Sequence, residues 1–389
     1  MNQISLLIVL LFHLIATNSY SQQCEIFYKK FSHSEAEVKI NSRLELIKLP
    51  HDFSVNQLLR TLSSEGKLLY EGKHKYVAGT DFLASNEFDW SKTPMDHKPT
   101  DILIAFGTNS AWDIALDKNA KSLVISDWSP WPLIAQNYLI SPLLKTSKSR
   151  SEFILALSGV PKSFSEHLDL DEAFSLAKKL LNRPTADKKI LMDKLLVELA
   201  NDLTITDLEL KFITTYLMAK VGETSSAYNF GPFQNLRNSV FADFNLFYET
   251  RYNPKRIGPQ NSVFSSEKNF AYLKNLFLQN RVSYGLTAVN DPSFYAALAA
   301  KTKSLNYSKV TVSVSNIFSC GGYNGLTFID FQNYLQLLMK SFQGPITVFR
   351  TTSTTPPHNF FRYDLKKVTD IPEKDEEQIT SVTEPQKAG

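Results

Sequence analysis

The chain has 389 residues, 43% hydrophobic and 21% charged, with a formal net charge of +3. That length suits one large domain with an insertion, or two domains, and so small a charge gives nucleic-acid binding no electrostatic support. Two cysteines and scattered histidines without CxxC spacing offer no zinc framework, so no metal site is expected.

The first 21 residues carry no charged side chain, and Ile4 to Ala16 is almost unbroken apolar sequence. Ser19 and Ser21 fit a signal-peptidase site before Gln22. The apolar run is shorter than the roughly 20 residues an ordinary membrane span needs. A secreted or periplasmic chain with no transmembrane segment after signal removal is therefore expected; an uncleaved anchor is the alternative. About 368 residues would remain. In that compartment Cys24 and Cys320 are free to form a disulfide or to stay as separate thiols.

Residues 22–100 read as an N-terminal extension or cap. They include a strand-like stretch at Val38–Leu49 and a short helical one at Val55–Leu62. The α/β pattern starts at Asp101. Ile102 to Ala105 is a short apolar strand that stops at Gly107, where a turn is allowed because glycine lacks a Cβ. Asn109 or Ser110 can cap a following helix, and Leu123–Ile125 make a second strand with Asp127 at its carboxyl end. A carboxylate about 20 residues after a glycine turn is where open α/β sheets bind ribose hydroxyls. Asp127 equally suits the cap of a helix near Pro130. Trp128 and Trp131 flank prolines and suit packing as well as ring stacking.

A helix is expected over about 133–144 and another over 151–157. Three segments between 165 and 222 then place apolar residues at three- and four-residue steps, which suggests a helical insertion over about 160–262. Tyr228–Pro259, rich in Phe, Tyr and Asn, would serve as a lid or wall; its Arg251 and Arg256 suit either an anion or a solvated loop. Alternation then resumes. A helix over 266–279 precedes a strand over 282–289, which ends at Asn290-Asp291-Pro292. A helix over 293–303, a strand over 310–314, a helix over 328–342 and a strand over 346–350 follow. This predicts a mainly parallel sheet with right-handed crossovers, within a Rossmann-like domain over 101–365. Residues 366–389, charged and poor in apolar side chains, are expected to be a disordered tail. Glu166 and His167 lack a nucleophile motif, and no GxSxG, HExxH or Walker-type sequence is present.

Three segments give the chain a family likeness. GTNSAWDIAL at Gly107, ISDWSPWPLIAQ around Asp127 and VSVSNIF around Ser315 and Asn316 occur in that order. Together they resemble the class I S-adenosylmethionine-dependent methyltransferase fold. The look is closest to the branch of betaine-lipid aminocarboxypropyl transferases and related uncharacterised bacterial proteins. The likeness covers about 50 to 60 residues. It implies an α/β, Rossmann-like methyltransferase sheet with a helical insertion and an N-terminal extension. It also implies S-adenosyl-L-methionine as cofactor and a small-molecule or lipid-like acceptor. Gly107, Thr108 and Asn109 would then approach the methionine portion, Asp127 the ribose and Trp128 the adenine. Asn290 or Asp291 would meet the adenine amino group, and Ser315 with Asn316 the reacting sulfonium. No catalytic residue is singled out. Gly107 stands alone in a turn that usually carries several glycines, and export separates the chain from a cofactor made in the cytoplasm. Both features suit the alternative, a catalytically inactive secreted binding protein on the same fold.

Overall fold

The computed structural model describes residues 98–106, 110–127, 133, 136–181, 184–207, 262–287, 289–314, 317–318, 327–351 and 360–373, with scattered positions between 209 and 217. The expected signal segment, the N-terminal extension, the aromatic stretch at 228–259 and both cysteines lie outside these residues.

The fold is α/β. A six-stranded sheet runs in the order β3-β2-β1-β4-β5-β6. Its strands are β1 (Ile102–Phe106), β2 (Ser122–Asp127), β3 (Val282–Leu286), β4 (Val310–Ser313), β5 (Ile346–Thr351) and β6 (Phe360–Leu365). The first five are parallel, and β6 pairs antiparallel with β5. Every residue of β1 is buried, as expected of a central parallel strand covered on both faces.

The helices divide between those faces. After β1 comes α1 (Ser110–Asp117); between β2 and β3 lie α2 (Ser141–Thr146), α3 (Arg150–Leu157), α4 (Leu170–Leu181), α5 (Thr185–Ala200) and α6 (Glu267–Leu278). Leu103, Ala105, Leu123 and Ile125 meet side chains of these helices in one core, including an aromatic group of Trp112, Phe153, Phe264 and Phe270. Ile102, Ile104, Phe106 and Val124 face the other way. They pack against α7 (Pro292–Ser304) and α8 (Phe328–Ser341), which carry the chain into β4 and β5. Period-two alternation along fully buried strands is thus what builds two cores from one sheet.

Ser266 caps α6, accepting from the Asn269 amide, and Thr327 with Asp330 forms a capping box at α8. The helix expected over 133–144 instead contains a π-helical turn at Gln136–Ile140 before α2. Pro142 has no amide hydrogen to donate back to Tyr138, which favours a change of helix type there. Strand β6 has no counterpart in the expected elements. Its alternation is nonetheless regular: Tyr363 and Leu365 enter the second core, while Arg362 and Asp364 pair outside it at 2.7 Å. Packing also continues past Lys366, where composition suggests a disordered tail. Ile371 packs on the second core and Gln332 Nε2 donates to the Pro372 carbonyl at 2.7 Å. Among the described residues no helix is long and apolar enough to cross a membrane.

At the amino edge of the sheet, Asp101 Oδ2 accepts from the Ser308 and Lys309 amides at 2.9 and 3.0 Å, and Oδ1 meets Lys121 Nζ at 2.7 Å. Burial opposes ionisation, yet the hydrogen bonds from Lys121, Ser308 and Lys309 outweigh it and lower the carboxyl from 3.8 to about 2. The Lys121 ammonium is exposed and screened, so the two amides carry most of the effect. Because the folded-state value is depressed, this stabilisation is complete above pH 3.8 and fades as pH falls towards 2. Asp101→Asn is expected to lower unfolding free energy by about 2 kcal/mol at pH 7, and by almost nothing near pH 2. Urea unfolding of the two proteins at both pH values measures the difference.

Candidate functional site

The sheet reverses its direction of winding between β1 and β4. From β1 the chain moves outward through β2 to β3, then returns to place β4 against the opposite side of β1. In an open α/β sheet such a switch point marks a crevice beyond the carboxyl ends of the strands, where ligands bind. Register puts those ends at similar levels: Phe106 pairs with Ser126, Asp127 with Leu286, and Ala105 with Ser313.

The expected site residues follow these ends. Asp127 is the last residue of β2. Asn290 is exposed in the turn after β3, and Asp291, partly buried, is the N-cap of α7. Gly107, Thr108 and Asn109, next in sequence after β1, lie outside the described residues. So do Trp128, after β2, and Ser315 and Asn316, after Val314.

The β3 turn is built in detail. Asp291 Oδ1 accepts from the Ser293 amide at 2.9 Å and from its hydroxyl at 2.7 Å, while Oδ2 accepts from Thr287 Oγ1 at 3.3 Å. The carboxylate thus closes the turn and offsets the positive end of α7. Beneath it, Tyr295 OH donates to the Val289 carbonyl at 2.9 Å and lies 2.9 Å from Tyr334 OH, from which it accepts. Burial, joined for Tyr295 by the neighbouring Tyr334 hydroxyl, raises both phenols above 10, so they stay neutral and retain their hydrogens. A hydrogen-bonded pair of tyrosines therefore ties the β3 turn to α8.

On β2, Ser126 is fully buried and its hydroxyl has no hydrogen-bond partner among the described residues. A Cβ built on its register partner Gly285 would stand 2.8 Å from that hydroxyl and 2.7 Å from Phe294 Cε2. Glycine there lets α7 approach the sheet next to the β3 exit. The neighbouring Tyr284, on the opposite face, also buries a hydroxyl that has no partner among the described residues; burial raises its pKa.

On β5, Arg350 is 1% exposed, with its guanidinium carbon 5.6 Å from the centre of the Phe328 ring and 5.1 Å from that of Phe331. The sequence reads this arginine as part of a strand. The alternation of Ile346 and Val348 on the same face is the sequence signal that it is buried. Tyr295 and Tyr334 each sit on an apolar helix stripe, where a tyrosine reads as ordinary core. Among the described residues no group of His, Cys, Asp and Glu could hold a metal ion.

No protein-family model matches the chain, and comparison with curated proteins finds no match. The fold and the chemistry of the carboxyl edge are therefore the basis for a functional reading.

Tyr295→Phe leaves the Val289 carbonyl and the Tyr334 hydroxyl without their partner. It is expected to cost about 1–3 kcal/mol in chemical unfolding. The β3 turn should also exchange its amides faster than β1 does, which hydrogen-exchange mass spectrometry reads.

Proposed function

We propose that the chain is an exported S-adenosylmethionine-dependent transferase-like protein acting on a small or lipid-like acceptor. The observation that carries the reading is topological. β1 lies between β2 and β4, all parallel, at a switch of winding direction. Four segments singled out for a nucleoside ligand thus follow the carboxyl ends of four neighbouring strands.

In this reading the residues at Gly107, Thr108 and Asn109 meet the methionine portion, and Asp127 accepts hydrogen bonds from the ribose. Trp128 lies against the adenine. Asn290 is the better partner for the adenine amino group, because the Asp291 oxygens already accept three hydrogen bonds. Ser315 and Asn316 line the reacting centre. The sulfonium carries its own activated leaving group, a neutral thioether. The protein then has to align an incoming nucleophile on the transferred carbon and exclude competing water.

Calorimetry of the purified protein with S-adenosylmethionine and S-adenosylhomocysteine tests the proposal. Dissociation constants below about 1 mM are expected, with Asp127→Ala weakening both by at least about tenfold through loss of charge-assisted hydrogen bonds. Absence of binding at millimolar ligand removes the reading. Binding without transfer to any lipid or small-molecule acceptor favours a binding protein on the same fold.

A further inference from the structure

We infer that Arg350 is a positioning residue for this site, holding Phe318, which follows β4 in sequence, against β5 and α8. Its effect on ligand binding rests on the adenosyl reading above; its hold on the chain does not.

Ile346, Val348 and Arg350 alternate along β5, and the first two enter the second core. A guanidinium on that face gives up its water, which is costly unless the protein supplies replacements. The Phe328 and Phe331 rings supply cation–π contact from α8. Arg350 Nη2 also donates to the Phe318 carbonyl at 3.3 Å. The Phe318 ring in turn packs on Phe331 and Tyr334, with centres 5.2 and 5.1 Å apart.

Val314, at the end of β4, has its own tie to β5. The Val314 amide donates to the Phe349 carbonyl at 2.9 Å, and the Ile317 amide donates back to Val314 at 3.3 Å. Val314 and Phe318 are thus each tied to β5. Ser315 and Asn316 fall between these points in sequence. An apolar residue in place of Arg350 would fill its volume and keep the rings apart, but would release the Phe318 carbonyl. A lysine would keep the charge, yet a compact ammonium cannot lie flat on the two rings while reaching Phe318.

Arg350→Met and Arg350→Lys in the full chain test the inference by three readouts: thermal unfolding, amide exchange by mass spectrometry, and calorimetry with S-adenosylhomocysteine. Both folded variants should exchange the Val314–Phe318 region faster, by about tenfold for Met and less for Lys, with β1 protection unchanged. S-adenosylhomocysteine affinity should fall in the same order, Met more than Lys. Unchanged exchange at Val314–Phe318 in the folded variants overturns the hold on the chain. Faster exchange with unchanged affinity overturns the positioning role. If Arg350→Met does not fold, Arg350→Lys alone decides both points. If the wild-type protein binds no adenosyl ligand, the functional reading and the positioning role fall together, while the exchange result still decides whether Arg350 holds the chain.

Discussion

The carboxylate of Asp101 takes the amides of Ser308 and Lys309 and the ammonium of Lys121, so the strands beginning at Ile102, Ser122 and Val310 start level with one another. Backbone contacts reinforce the junction: Thr100 donates to Lys118, and the amides of Asp101 and Ile102 reach the Lys309 carbonyl. The strands are short, and each residue advances about 3.3 Å. A slip of one residue at the start would therefore move an exit by that distance and turn each side chain of the strand to the wrong core. Register set at the amino edge determines the geometry of the carboxyl edge.

That geometry is then fixed locally at the β3 and β4 exits, by a different device at each. After β3, Asp291 and the Tyr295–Tyr334 pair close the turn from above and below. After β4, the Phe349 carbonyl holds Val314 and the Arg350 guanidinium holds Phe318. Both devices depend on α8, which contributes Tyr334, Phe328 and Phe331. Gly285 allows α7 to come close enough for its ring to sit against β2 and β3. The carboxyl edge is thus supported from the α7–α8 side by buried polar groups set among aromatic rings. Such groups constrain direction more sharply than apolar packing alone.

Much of the sheet was legible in the sequence because its strands are short apolar runs and its helices carry apolar stripes. The helix start at Ser266 could be read from residue type, and so could the β-branched strand at Val310. Strand β6 is hard to read because FFRYDL mixes charge with aromatics, although its two-residue alternation is regular. The ordered turn at Val368–Asp370 was hidden by a charged, proline-containing composition; Asp370 satisfies the Lys366 and Lys367 amides there. For the candidate site, the order of segments along the chain was readable. The buried supports were not. Asp101, Tyr295, Tyr334 and Arg350 each act in part through a partner 32 to 208 residues away, and no local pattern announces such contacts.

The most direct test of the account is a map of backbone amide chemical-shift changes in the isotopically labelled protein on addition of S-adenosylhomocysteine. The account predicts changes grouped at Phe106–Trp112, Asp127, Val289–Asp291 and Val314–Phe318, with Asp101 and Ser308–Lys309 at the opposite edge unmoved. Changes centred on the amino edge or on the α3–α5 surface, or none at saturating ligand, would contradict it.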